Sequence, residues 1–299
     1  MTKRKASGPM KVVGGTKKSE AEFGAGHAAH LSRSRVRTIV VASGKTGVGK
    51  SSLAANLAVA LGQRGARVVL VDADLAQAQL DLLLGLHPRF DLGHVIAGEK
   101  TLDQVVIQGS NGVTLVPGPS TAKGTEELDD FRREALLRSL GIADEAADLM
   151  VIDTAAGTSR DTIELCRMAH EVLVVASTET MSLPDAYSLL KELQKENALA
   201  RAPHLVINQA STPDEADEIA SRMRLFARHF MRLEIDFAAS IPFDLAMPRA
   251  ERAQEPCVVS QPQSPAAIAI RALAAKLWKP VPSGPEFDVK SEPSHRLEA

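Results

Sequence analysis

The sequence predicts an α/β fold: a mainly parallel, doubly wound sheet with helices on both faces. Three observations predict it. Apolar, β-branched runs recur near 37–43, 67–72, 113–117, 148–153, 171–177, 203–208 and 235–241, and amphipathic stretches fill most intervals between them. A glycine-rich loop joins the first such run to a helical pattern. Acidic or amide residues stand at the carboxyl ends of several runs, where sheets of this kind gather ligands.

The first strand, RTIVVAS (Arg37 to Ser43), runs into GKTGVGKSS at 44–52 and then into the helical pattern from Ser51 to Gln63. This is a complete G-x-x-x-x-G-K-[ST] phosphate-binding loop in the strand-to-helix setting that the motif requires. Gly44, Gly47 and Gly49 let the backbone of Lys45, Thr46, Val48 and their neighbours curl, so that successive N–H groups face one concavity capped by a helix N-terminus. Lys50 is expected to reach the β- and γ-phosphates of a nucleotide, Ser51 to ligate Mg²⁺, and Ser52 to complete the cradle.

The second strand, RVVLVDAD (Arg67 to Asp74), ends in Asp72 and Asp74. Two carboxylates just past a buried strand need a partner or solvent, so packing alone does not account for them. A later strand, DLMVID, ends in DTAAG at 153–157, where Asp153 is placed to hold Mg²⁺ and Gly157 to let the backbone move. The strand PHLVIN ends in Asn208, whose amide both donates and accepts and so suits adenine. Ile241-Pro242-Phe243-Asp244 closes the next strand. The final helix spans Pro265 to Leu277.

Lys45, directly after the first glycine, brings in a resemblance. The loop is similar to the deviant Walker A loop of the MinD/ParA family, K-G-G-x-G-K-[ST], with Thr46 in place of one family glycine. The similarity extends from about Val36 to about Trp278 with the motifs in the family's order, and implies a three-layer P-loop fold of the MinD/ParA/NifH type. It implies that Lys45 crosses a dimer interface to the partner's phosphates, that Asp74 polarises the attacking water, and that Asp72, in the stretch with Asp74 and Asp81, supports Mg²⁺. It implies that Asn208 contacts adenine and that the backbone at Pro242 and Phe243 flanks the base. The expected cofactors are ATP and Mg²⁺, and the expected activity is slow, dimer-dependent ATP hydrolysis driving a positional switch with a protein partner or activator.

Residues 72–118 are similar to the corresponding region of both MinD and the flagellar-number branch of that family, FlhG or FleN, and DTAAG with Leu183-Pro184-Asp185-Ala186-Tyr187 tilts the resemblance toward the latter. Division-site control of the MinD kind and ParA-like partitioning on DNA are the alternatives. The helix expected from Pro213 to Arg232 carries Arg224, Arg228 and Arg232 at i, i+4 spacing, a face that suits phosphates, although a solvated face is the favoured reading. His27 to Arg33 lacks the Asp and Gln of the branch's D-Q-A-x-x-L-R activating segment.

With 299 residues, 44% of them hydrophobic, the chain suits one sizeable domain, 36–279. Residues 1–35 form a basic, Gly/Ser-rich tail expected to be disordered, and 280–299 a proline-rich one. Pro280, Pro282, Pro285 and Pro293 oppose a terminal amphipathic helix, so membrane association needs another element. Two cysteines, Cys166 and Cys257, in no metal or CxxC pattern exclude a disulfide scaffold, and the close pair His27 and His30 reads as bland. A net charge of −2 gives no general attraction to nucleic acid. Without a secretory h-region or a membrane span, the expected location is cytoplasmic, with peripheral attachment at the inner face of the membrane left open.

Overall fold

The computed structural model describes residues 36–120, 128–142, 147–179 and 182–278. Both expected tails, with His27, His30 and the segment 27–33, lie outside the described residues.

An eight-stranded sheet forms the centre. Its strands are β1 (Arg37–Ala42), β2 (Val68–Ala73), β3 (Ile107–Gln108), β4 (Val113–Val116), β5 (Leu149–Thr154), β6 (Glu171–Ser177), β7 (His204–Ala210) and β8 (Asp236–Pro242). They lie in the order β3-β4-β2-β5-β1-β6-β7-β8. All pairings are parallel except β3 with β4. The two-residue β3 was not expected; it is too short to leave a hydrophobic period in the sequence. Parallel strands buried on both faces read as continuous apolar runs, which is why the others were visible.

Alternation along β1 shows how the layers form. Val40 and Ala42 face one core, and Ile39 and Val41 face the other. The first core is covered by α5 (Asp130–Ile142), α6 (Arg160–Met168), α7 (Ser182–Lys195) and α8 (Pro213–Phe226), with the short α3 (Leu92–Ile96) and α4 (Leu102–Val105) at its border. The second is covered by α1 (Lys50–Gly62), α2 (Leu80–Leu83), α9 (Ala246–Arg252), α10 (Cys257–Ser260) and α11 (Pro265–Leu277). Helix α1 is apolar nearly all round because it sits between the sheet and α11; Leu53, Leu57 and Leu61 are each at most 1% exposed. Burial of each such leucine stabilises the fold by roughly 1.5–3 kcal/mol.

The helix expected over 213–232 is interrupted. Helix α8 ends at Phe226, Ala227–Met231 form a π-helical turn, and Arg232 turns left-handed at φ 52°. Leu233 donates its N–H back to the Ala227 carbonyl, which closes this end. The expected i, i+4 arginine stripe is thereby broken: Arg232 leaves the helix, and Arg228 is held by both Glu234 carboxylate oxygens at 2.8 and 2.7 Å.

Candidate functional site

Strand β1 lies between β5 and β6, so the chain after it emerges where the connections of the sheet diverge. There the glycine loop makes its turn. Gly47 and Gly49 both adopt φ 80°, and Gly49 caps α1 from the left-handed region, which an L side chain enters only at a cost. Gly44 is required for a different reason. A Cβ there would stand 2.1 Å from the carbonyl oxygen of Asp185, because α7 begins hard against the loop.

Register then brings the carboxylates together. On adjacent strands Asp72 is aligned with Asp153, and Asp153 with Val41 just before the loop. Lys50 is buried and its Nζ donates to Asp153 Oδ1 at 2.6 Å and to Ser51 Oγ at 3.2 Å, with Asp74 Oδ2 3.9 Å away. Burial raises the Asp153 carboxyl above its ordinary range, against the pull of Lys50 and a hydrogen bond from Ser51. Its Oδ2 is buried without a hydrogen-bond partner.

Asp72 holds backbone. Its Oδ2 accepts from the N–H groups of Gln79 and Leu80, both at 2.9 Å, and its Oδ1 accepts from Asp74 N–H. Burial first, and then the charge of Asp153, push its carboxyl up to about 7. Asp74 Oδ1 accepts from Gln77 N–H and so anchors the same loop. Gly118 gives this strand end its room, since a Cβ on it would lie 2.9 Å from Asp72 O and 2.6 Å from Ala78 Cβ. Gly157, at φ 97°, ties the loop after β5 to the loop after β1 by donating its N–H to Ser43 O at 2.8 Å.

Three carboxylates therefore face one buried ammonium. That excess of negative charge, the unpartnered Asp153 oxygen and the Ser51 hydroxyl form an all-oxygen set suited to a hard divalent cation such as Mg²⁺. Among the described residues no group of three or more His, Cys, Asp or Glu side chains is arranged to hold a metal ion by itself.

Four of the predicted site residues, Asn208, Phe243, Lys45 and Ser52, take up local bonds. Asn208, buried at the end of β7, donates its Nδ2 to Val48 O at 2.8 Å and braces the glycine loop from below. Gln209 beside it is left-handed at φ 58°, where the register with β8 slips. Pro242 pairs with Ala210, and Phe243, 64% exposed, donates its N–H to Ala210 O. Lys45 is more open, and its Nζ bonds Glu179 Oε2 at 2.7 Å. Thr46 is exposed and Ser52 pairs with Glu251. Sequence reasoning passed over Glu179, although it stands just beyond the end of β6, the position that singled out Asp74 after β2.

Cys166 and Cys257 are buried and free. Burial alone takes the Cys166 thiol to about 12, so it is inert. Tyr187 packs in part against the first core. Among the described residues no helix is long and apolar enough to cross a membrane.

Comparison with known proteins agrees with this geometry. The CobQ/CobB/MinD/ParA nucleotide binding domain matches residues 39–257. The antiactivator FleN of Pseudomonas aeruginosa is 34% identical over 252 residues, covering 84% of this chain and 89% of its own. The flagellum site-determining protein YlxH of Helicobacter pylori is 30% identical over 217 residues, covering 70% of each. Among solved structures, the septum site-determining protein MinD complexed with Mg-ADP from Pyrococcus horikoshii superposes with TM-score 0.68 at 26% identity, covering 81% of this chain and 96% of that one.

Proposed function

The chain belongs to the CobQ/CobB/MinD/ParA nucleotide-binding family, and from that membership we propose an ATP-dependent dimerising switch, a slow ATPase that sets the placement or number of a cellular structure. The flagellum is the favoured structure, because FleN and a flagellum site-determining protein are similar over most of the chain. Division-site control is the nearer alternative, as MinD proteins also match. A DNA-bound, ParA-like role is less favoured, since Arg228 is already paired and Arg232 lies off the helix.

The observation that carries this reading is the convergence of Lys50, Ser51, Asp74 and Asp153 on one glycine-lined cradle. The N–H groups of residues 44–52 hold the phosphates of ATP. Lys50 leaves Asp153 and turns its ammonium to the β- and γ-phosphates, exchanging one charge-assisted contact for another. Ser51 and Asp153 would hold Mg²⁺, which would supply positive charge to neutralise the phosphates. Asp72 keeps residues 74–80 beside this point by its three backbone bonds, and its carboxylate adds negative charge that favours the ion. Asp74, tethered at one oxygen, orients the attacking water with the other. Asn208, Pro242 and Phe243 border the adenine.

Lys45 gives the switch its dimeric character. In the closed dimer it exchanges Glu179 for the partner's phosphates, and hydrolysis returns it. An exposed pair of this kind is worth about 0–1 kcal/mol, so the exchange costs little. The working location in this reading is the cytoplasm, with a protein partner or activator receiving the signal. Calorimetry on Lys50→Ala tests the nucleotide assignment: ATP affinity is expected to fall about 100-fold or more, equivalent to about 2.7 kcal/mol. Near-normal affinity would refute it.

A further inference from the structure

The end of α8 displays a surface that the nucleotide site does not use. Leu225 is 68%, Phe226 47% and Phe230 63% exposed. The two phenylalanine rings stack with centroids 5.7 Å apart, and His229 sets its ring edge-on to Phe230 at 4.7 Å. Large apolar side chains grouped in this way on a surface mark a contact site. Phe226 closes α8 and Phe230 lies four residues on, in the π-helical turn at 227–231.

The surrounding charge limits what fits. Arg222, Arg224, Arg228 and Arg232 are offset by Glu218, Glu234 and Asp236, with Glu234 bonded to Arg228 and Glu218 3.9 Å from Arg222. Anionic membranes and nucleic acid reward a strongly basic face, and this one is close to balanced. A short segment with an apolar anchor flanked by acids suits it better: the anchor covers the rings, and the acids meet Arg224 and Arg232.

The chain carries such a segment in Glu286-Phe287-Asp288-Val289, and it is within reach. Strand β8 is the edge of the sheet, with α8 on one face and α11 on the other. Lys276, near the end of α11, donates to the carbonyl oxygens of Phe237 and Ala238 at the start of β8. The patch ends where Leu233 folds back on Ala227, and five residues of chain, about 17 Å at most, separate Leu233 from Ala238. Phe287 lies nine residues beyond Trp278, about 30 Å of extended chain. We propose that residues 286–289 dock on the Leu225–Phe230 surface of their own chain, Phe287 against Phe226 and Phe230, so that this terminal segment covers the patch in competition with any external ligand.

Disulfide trapping in the full chain tests this. Leu225→Cys with Val289→Cys keeps Phe226, Phe230 and Phe287 in place, and both native thiols are buried. Under mild oxidation an intramolecular bridge is expected about tenfold faster than for the control pair Phe131→Cys with Val289→Cys, because docking raises the effective concentration at one site only. Adding Arg224→Glu and Arg232→Glu should bring the rate down to that of the control. Equal rates for the two pairs would overturn the proposal. So would a bridge formed mainly between chains, which would make the patch a contact between copies. Pelleting of the parent chain with phosphatidylglycerol vesicles, lost on Phe230→Ser, would assign the patch to lipid and overturn it equally.

Discussion

The two ends of one sheet handle charge in opposite ways. At the carboxyl ends of β1, β2 and β5, Lys50, Asp72, Asp74 and Asp153 are buried, more negative than positive, and one Asp153 oxygen has no partner. At the amino ends, ionic contacts fasten the chain. Arg67 and Asp148 bond in parallel beside solvent, Lys276 clamps two carbonyl groups, and Arg37 links Glu171 to the last carbonyl of α11. Even there the second Glu171 oxygen, also without a hydrogen bond, has His204 Nε2 3.8 Å away. Burying unbalanced charge opposes folding, so the carboxyl end is stable to the extent that a ligand supplies the missing positive charge. The amino end draws its positive charge from the chain's own Arg37, Arg67 and Lys276.

Removing one of the carboxylates at the carboxyl end should therefore act on chemistry more than on folding. The largest effect is expected from Asp74→Ala, which should bind ATP yet release phosphate at least about 100-fold more slowly, as for loss of a general base. Unchanged steady-state turnover would remove Asp74 from catalysis.

The glycines sharpen the comparison within the loop itself. Gly44→Ala must displace the Asp185 backbone and is expected to cost roughly 2–3 kcal/mol in a denaturant titration. Gly47→Ala meets nothing within 4 Å and should cost only about 1–2 kcal/mol, from its positive φ. Equal costs would mean that α7 does not press on the loop.

Asp91 offers a smaller, purely structural counterpart. It caps α3 and accepts from Ser120 N–H and Oγ, so Asp91→Ala is expected to cost about 1–2 kcal/mol without changing nucleotide affinity. Burial pushes its carboxyl up, but the bonds from Ser120 and His94 outweigh that and hold it below the usual range. A depressed carboxylate stabilises the fold above its unfolded value and loses that contribution as pH falls through the folded one. The stability difference between wild type and Asp91→Ala should therefore be full above pH 4–5 and shrink below about 4.

The seven parallel strands and the glycine loop were legible because each leaves a continuous signal, an apolar run or a fixed spacing. What escaped depends on contacts distant in sequence. The need for Gly44 comes from Asp185, and the need for Gly118 from Asp72 and Ala78. Lys45 was legible as an unusual lysine, whereas its partner Glu179 lies 134 positions away. The helix over 213–232 was expected to be unbroken because spacing assumes an uninterrupted α-helix, and the π turn breaks the arginine row at 224, 228 and 232 after Phe226.

The central claim, that two chains close over ATP and that Lys45 reaches across, is tested most directly in the Asp74→Ala background, where suppressed hydrolysis lets the closed state accumulate. Light scattering with ATP against ADP should show a dimer for Asp74→Ala with ATP alone, and a monomer with either nucleotide once Lys45→Ala is added, while ATP binding by calorimetry persists. If the double variant dimerises as fully as Asp74→Ala, Lys45 serves only its own chain through Glu179, and the account of the switch is wrong.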